Sequence, residues 1–281
     1  MEPTVFAAVL VAAAMHAGWN ASLKLKLEPF LATTLLTAAA GVVCLPALLV
    51  TGFPRPESWP WLAGSVVLHL GYYLSLSAAY SRADMSQVYP IARGGAPLLT
   101  TTASTLFLAE PVSPWQLAGI AGLGCSVAAM SILGRRRGTA FDPVAVGLAL
   151  LTACTVCGYT LADGLGARAA GDPHAYSAAL FVLDAPPLVA YALWRRGPAA
   201  LTPALRFWPQ GVAAGAMSVA SYWIAIWAMT RAPIPLVAAL RETSVLFAIA
   251  IAVLIIKEPL QRSRAIAAAA ILVSIVVIRL G

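Results

Sequence analysis

Two arginines and a glutamate stand where an apolar chain has least reason to hold them. Arg93 lies within Tyr89-Pro90-Ile91-Ala92-Arg93-Gly94-Gly95-Ala96-Pro97, and Arg241-Glu242 lies within the apolar run 234–256. The stretch from Met85 to Ala109 is long enough to cross a hydrocarbon core of ~30 Å, which takes ~20 apolar residues. Arg93 enters that stretch about 12 Å deep at the rise of an α-helix. An ionised group at such depth is costly unless it faces a partner or a polar cavity. A guanidinium fork there can hold a carboxylate, phosphate or phosphonate through two parallel hydrogen bonds. It can equally pair with an acid and fix helix packing. Glu242 can pair with Arg93, bind a substrate amine or carry a coupling proton, and Asp184, ahead of Pro186-Pro187, is the other deep acid. Asp184 can serve a site or cap a broken helix segment.

Around these charges stand polar side chains at helical spacing. His16 and Asn20, four apart, share a face of the first apolar run, with Trp19 on a neighbouring turn. Tyr89 is four residues from Arg93 and shares its face. His69, Tyr72, Tyr73 and Ser77 form one further polar-aromatic group, and Ser218, Ser221, Tyr222, Trp223 and Trp227 form another. Rings near a span end can be interfacial anchors; Tyr72, Tyr73, Tyr222 and Trp223 sit deeper. The expected solute-binding set is therefore Arg93, Arg241, Glu242, His16, Trp19, Asn20, Tyr72, Tyr73, Tyr89, Tyr222 and Trp223. Glu242, His16 and Asp184 are the candidates for proton coupling.

The elements that must position these groups follow from composition. The 281 residues are 60% hydrophobic and 10% charged, with a net charge of +7, whereas soluble domains carry about 25% charged residues. The chain reads as all-α and polytopic. Ten spans are expected, at about 4–22, 30–51, 61–80, 85–109, 115–134, 143–164, 174–194, 209–230, 234–256 and 264–280. The prolines and paired glycines around Arg93 read as a broken or kinked helix in the fourth span. The N-terminus lacks a basic leader and reads as an uncleaved first helix. Cys44, Cys125, Cys154 and Cys157 all lie in apolar runs, and the lone Cys154-x-x-Cys157 has no second ligand pair for zinc. No metal and no cofactor is expected. Glu110-Pro111 and Glu258-Pro259 read as caps for the helices that follow, and Asp142-Pro143 and Asp172-Pro173 as N-caps with proline at the first helical position. Gly211-xxx-Gly215 and Ala118-xxx-Gly122 suit close helix approach.

The two halves repeat. Arg93 and Arg241 are separated by the same interval as Glu110-Pro111 and Glu258-Pro259, and Arg82-Ala83 matches Arg231-Ala232 one residue further on. Five spans separate the copies, an odd number, so the halves must lie in opposite orientations, 1–138 against 139–281. Inverted repeats of this kind place a site near the midplane where the halves meet. Basic residues gather in one set of alternate loops, including Lys24, Arg135, Arg136, Arg137, Arg195 and Arg196. The positive-inside rule then puts both termini outside the cytoplasm.

Ten spans in two five-helix copies, each with a Glu-Pro turn between its fourth and fifth helices, resemble the drug/metabolite transporter superfamily. More narrowly they resemble its EamA-type permeases. His16-Ala17-Gly18-Trp19-Asn20 followed by Lys24 resembles a branch associated with phosphonate use. The resemblance implies a multi-pass protein of the cell (inner) membrane, helices around a central cavity, cytoplasmic termini and movement of small polar metabolites. Its implied partners are a small-molecule solute and the lipid bilayer, without nucleic acid; a homo-oligomer is left open.

The leading expectation is a secondary transporter of a small anionic or zwitterionic metabolite, of amino-acid or aminophosphonate type, working by alternating access. A multidrug or organic-cation exporter would call for a glutamate within the first span, where Glu2 and Glu28 stand only at its ends. A lipid-headgroup flippase would use the same cavity. A membrane enzyme acting on lipid phosphates would need a nucleophile with a base, or a metal cluster, and the chain shows no such motif. No enzymatic activity is expected.

Overall fold

The computed structural model describes residues 1–22, 28–83, 85–133, 142–255, 257 and 262–281. Lys24, Arg135–Gly138 and Glu258, which the sequence singled out, lie outside the described residues, as does the side chain of Tyr89. Helices account for all the regular structure among the described residues: α1 Pro3–Ser22, α2 Pro29–Thr51, α3 Trp59–Tyr80, α4 Met85–Phe107, α5 Pro114–Leu133, α6 Pro143–Ala169, α7 Pro173–Arg196, α8 Pro198–Leu205, α9 Trp208–Met229, α10 Ile234–Arg241, α11 Ser244–Ala250 and α12 Arg262–Leu280. A 3₁₀ turn, Pro56–Ser58, leads into α3, and a π-helical turn, Ile251–Ile255, extends α11. Among the described residues, seven stretches are long and apolar enough to cross a membrane unaided, Ile234–Ile255 among them. With α4, α5 and α12 they make ten spans; α8 is a short connector the sequence did not suggest.

Local chemistry sets the helix ends. Six helices open on proline, whose fixed φ suits the first turn and whose missing N–H is not needed there. Asp142 accepts from the Val144 N–H at 2.9 Å and Asp172 from the His174 N–H at 2.8 Å, as expected of N-caps. The Glu110 reading needs correction. The cap of α5 is a reciprocal pair in which the Gln116 N–H donates to Ser113 Oγ and the Ser113 N–H to Gln116 Oε1. Glu110 instead pairs with Arg168. Arg168 also donates to the Met229 and Ala232 carbonyls at 2.9 and 3.2 Å, closing the free end of α9.

Of the expected broken or kinked fourth span, the break is corrected: α4 runs unbroken through Pro90, Gly94, Gly95 and Pro97. The glycines serve packing. A Cβ on Gly94 would stand 3.2 Å from the Gly124 carbonyl in α5, and one on Gly95 would stand 3.4 Å from the Ala153 methyl in α6. The interruption lies in the ninth span, between α10 and α11. There the amides of Glu242, Thr243, Val245 and Leu246 each bond the carbonyl three residues back, an overwound stretch. The π-helical turn that follows is underwound.

Packing follows the repeat. Exchanging the copies pairs α1 with α6, α2 with α7, α3 with α9, α4 with α10–α11 and α5 with α12. The helix contacts respect that exchange: α3 packs on α6 as α1 packs on α9, while α2–α7, α5–α12 and α4–α10 are contacts between mates. Small residues bring the backbones together, since lipid offers no hydrophobic gain from helix association. A Cβ on Gly215 of α9 would meet the Ala40 backbone nitrogen in α2 at 3.1 Å.

Candidate functional site

The contact between α4 and α10 carries the charged groups. Arg93 Nη2 lies 3.1 Å from Glu242 Oε1, with both side chains at least nine-tenths buried. The same nitrogen lies 3.3 Å from His16 Nε2 on α1. Arginine can only donate, so His16 accepts through Nε2 and carries its proton on Nδ1. The His16 ring meets Trp19 edge-on at 5.1 Å. Glu242 Oε2 is buried and meets no donor among the described residues, and Thr243 Oγ1 and Ser244 Oγ beside it are buried without a partner among them. The carboxylate is thus held by one oxygen, and the overwound backbone carries it past the end of α10 toward Arg93.

Arg241 takes a different partner. Its guanidinium carbon lies 4.5 Å from the centre of the Tyr222 ring on α9, over its negative face. Arg241, His16, Trp19 and Tyr72 remain half-buried, whereas Arg93 and Glu242 are buried behind them. Tyr72 stands within electrostatic reach of Arg93, Arg241 and Glu242. A solute reaching this group would meet two guanidinium groups, one of them already occupied by an acid of the opposite repeat.

A second polar group adjoins the first through aromatic rings. His69 on α3 stacks on Tyr159 of α6 with ring centres 4.0 Å apart and planes 20° apart. Tyr159 meets Tyr222 edge-on at 6.0 Å, and Tyr72 meets Tyr159 at 5.8 Å. Asp163 on α6 is fully buried and accepts from the hydroxyls of Tyr222 at 2.5 Å and Tyr176 at 3.0 Å. Asp184 on α7 accepts from the Tyr73 hydroxyl at 2.7 Å through Oδ2. It stands within a continuous α7 that accommodates Pro186 and Pro187, so it caps no broken segment.

Two expected members stand apart. Asn20 is exposed, and its amide donates back to the His16 carbonyl at 2.8 Å, satisfied within its own helix. Trp223 sends its indole N–H to His174 Nδ1 at 2.8 Å, at the start of α7. Conversely, Asp163, Tyr159 and Tyr176 went unnoticed. Tyr159 and Asp163 are four apart on one helical face, which is a readable signal. Placing the end of the sixth span near residue 164 put Asp163 at the membrane edge, whereas α6 continues to Ala169. Among the described residues no three His, Cys, Asp or Glu side chains are placed to hold a metal ion.

Comparison with known proteins agrees with this architecture. No curated protein matches the chain. A solved structure, described only as the crystal structure of a protein, is 22% identical and covers 99% of this chain and 96% of its own, with a TM-score of 0.80; it shares the fold. The model of the EamA-like transporter family matches twice, over residues 3–132 and 144–280. With both five-helix copies matched, the chain belongs to the EamA-like transporter family, membrane transporters of the drug/metabolite transporter superfamily.

Proposed function

We propose that this protein is a secondary transporter that moves a small anionic or zwitterionic metabolite, of amino-acid or aminophosphonate type, by alternating access. The observation that carries this reading is the Arg93–Glu242 pair, which joins the two repeats inside the bilayer. An incoming carboxylate or phosphonate competes with Glu242 for the Arg93 fork, and Arg241 supplies a second positive group. Glu242, once displaced, is free to take the amine of a zwitterion. His16, Trp19, Tyr72 and Tyr222 line the approach. Two guanidinium groups disfavour an organic cation at this position. Of the three proposed proton carriers, His16 and Glu242 are engaged by Arg93, and Asp184 stands apart from them.

Purified protein in liposomes, loaded in turn with amino acids, aminophosphonates and organic cations, tests this by counterflow. Arg93→Lys keeps the charge but loses the planar fork, of which one nitrogen, Nη2, reaches both His16 and Glu242. Counterflow of an anionic or zwitterionic probe is expected in the parental protein and lost in Arg93→Lys and Arg241→Ala. Counterflow confined to organic cations, or unaffected by both substitutions, refutes the reading.

A further inference from the structure

The mid-span charges do not balance. Among the described residues Arg93 and Arg241 stand against Glu242, Asp163 and Asp184, leaving one negative charge over with the histidines neutral. Every other described acid and base lies at a span end or in a connection, and Glu110 and Arg168 neutralise each other. Two of the three acids approach His69 through tyrosines: the His69 ring lies 6.0 Å from Tyr222, whose hydroxyl binds Asp163, and 6.1 Å from Tyr73, whose hydroxyl binds Asp184.

We propose that Asp163, His69 and Asp184 bind one exchangeable proton, and that this proton is the coupling ion of the transport cycle. The proposal rests on the transporter reading above but uses residues separate from the Arg93 site. His69 Nδ1 lies 3.0 Å from the Ser65 carbonyl and 3.1 Å from Ser65 Oγ; when the carbonyl, which can only accept, takes the Nδ1 hydrogen, Nε2 can gain one. The imidazolium so formed lies over the face of Tyr159 at 4.0 Å, where the ring quadrupole attracts a cation. Asp184 Oδ1 is buried without a donor among the described residues, a second place for the same proton. The surrounding titratable groups are Tyr72 and Tyr73 on α3, Tyr159 on α6, Tyr176 on α7 and Tyr222 on α9. Arg241 lies beyond Tyr222, and Arg93, Glu242 and His16 beyond Tyr72.

An open groove lies one helical turn from Tyr73. It encloses about 580 Å³ at the ends of α2, α3 and α7 and is lined by Glu28, Leu74, Ser77, Tyr80 and Tyr191. Ser77 is one helical turn from Tyr73, whose hydroxyl binds Asp184. With the proton bound, the mid-span charges sum to zero and the two repeats can move past each other without an uncompensated charge in the lipid. Without it one carboxylate is unbalanced, so proton loading and repeat movement are coupled.

The chain holds three histidines, His16, His69 and His174, so nitrogen-15 labelling of histidine gives signals assignable by single His→Gln substitutions. At neutral pH the full-length protein in detergent is expected to show either an imidazolium signal removed by His69→Gln, or an infrared band of a protonated carboxyl removed by Asp163→Asn or Asp184→Asn. In liposomes His69→Gln and Asp163→Asn are expected to lose accumulation driven by an imposed pH gradient while keeping counterflow of the same probe solute. A neutral His69 with both carboxylates ionised, or gradient-driven accumulation that survives both substitutions, overturns the proposal. The spectroscopic readouts need no solute, so they stand or fall independently of the Arg93 assignment.

Discussion

Arg93 on α4 and Glu242 at the end of α10 meet at 3.1 Å, and the helices that carry them are mates under the exchange of repeats. The ion pair therefore bridges the halves at their mutual contact. Breaking a buried pair by removing one member leaves an unpaired charge and costs about 3–5 kcal/mol, whereas replacing both with apolar residues of similar volume is often neutral. Arg93→Ala and Glu242→Ala are each expected to lower the thermal unfolding midpoint in detergent, with Arg93→Met/Glu242→Leu recovering most of the loss. Transport is expected to fail in all three. A double variant no more stable than the singles would show that the pair does not hold the repeats together.

Tyr222 has two tasks that substitution can separate. Its hydroxyl donates to Asp163 at 2.5 Å, and its face lies under the Arg241 guanidinium at 4.5 Å. Tyr222→Phe removes the first and keeps the second; Tyr222→Leu removes both. A partly buried cation–π contact contributes about 0.5–2 kcal/mol. The leucine variant is therefore expected to bind an anionic probe several-fold more weakly than the phenylalanine variant in counterflow titrations. Equal affinities would place Arg241 outside the solute's reach.

Much of this arrangement was legible in the residues themselves. Apolar run length placed all ten spans, because a bilayer imposes one length scale on every one of them. The repeat exposed Arg93 and Arg241 as mates. The pairing of Glu242 with Arg93 is one of three readings open for that acid, but the repeat does not indicate that Arg241 turns to Tyr222, a residue of α9. Gly94-Gly95 read as a helix breaker, whereas its purpose depends on Gly124 and Ala153, residues remote in the chain. Asn20 looked like a site residue by spacing alone, yet an amide four residues beyond a carbonyl on a helix can satisfy itself. Asp163 was hidden by a span end set five residues short.

Close helix approach gives a stability contrast within one residue type. A Cβ at Gly215 would meet backbone, the Ala40 nitrogen at 3.1 Å and the Leu36 carbonyl at 3.3 Å, while one at Gly64 would have nothing within 4 Å. Backbone cannot rotate aside, so Gly215→Ala is expected to cost about 1–3 kcal/mol through overpacking. Gly64→Ala, in an open helical position, is expected to stabilise α3 by roughly 0.5–1 kcal/mol through backbone entropy. Thermal unfolding of both variants in one detergent measures the contrast. A Gly215→Ala protein as stable as the parent would mean that α2 and α9 are less closely packed than described.

The ninth span is expected to open more readily than its mate. In α4 the α-helical ladder continues past Arg93 despite Pro90 and Pro97, and Gly94 and Gly95 press it against α5 and α6. In the ninth span the amides from Glu242 to Leu246 include four bonded three residues back, a geometry poorer than the α-helical bond. Thr243 and Ser244 add buried hydroxyls that meet no partner among the described residues. A segment with weaker bonds and unmatched polar groups unfolds locally at lower free energy. Hydrogen exchange in lipid nanodiscs is therefore expected to proceed faster at residues 242–246 than at 93–98. Adding an anionic solute that engages Arg93 and frees Glu242 should change exchange at 242–246 most. Equal protection of the two segments would show that the overwound turn does not weaken the ninth span relative to α4.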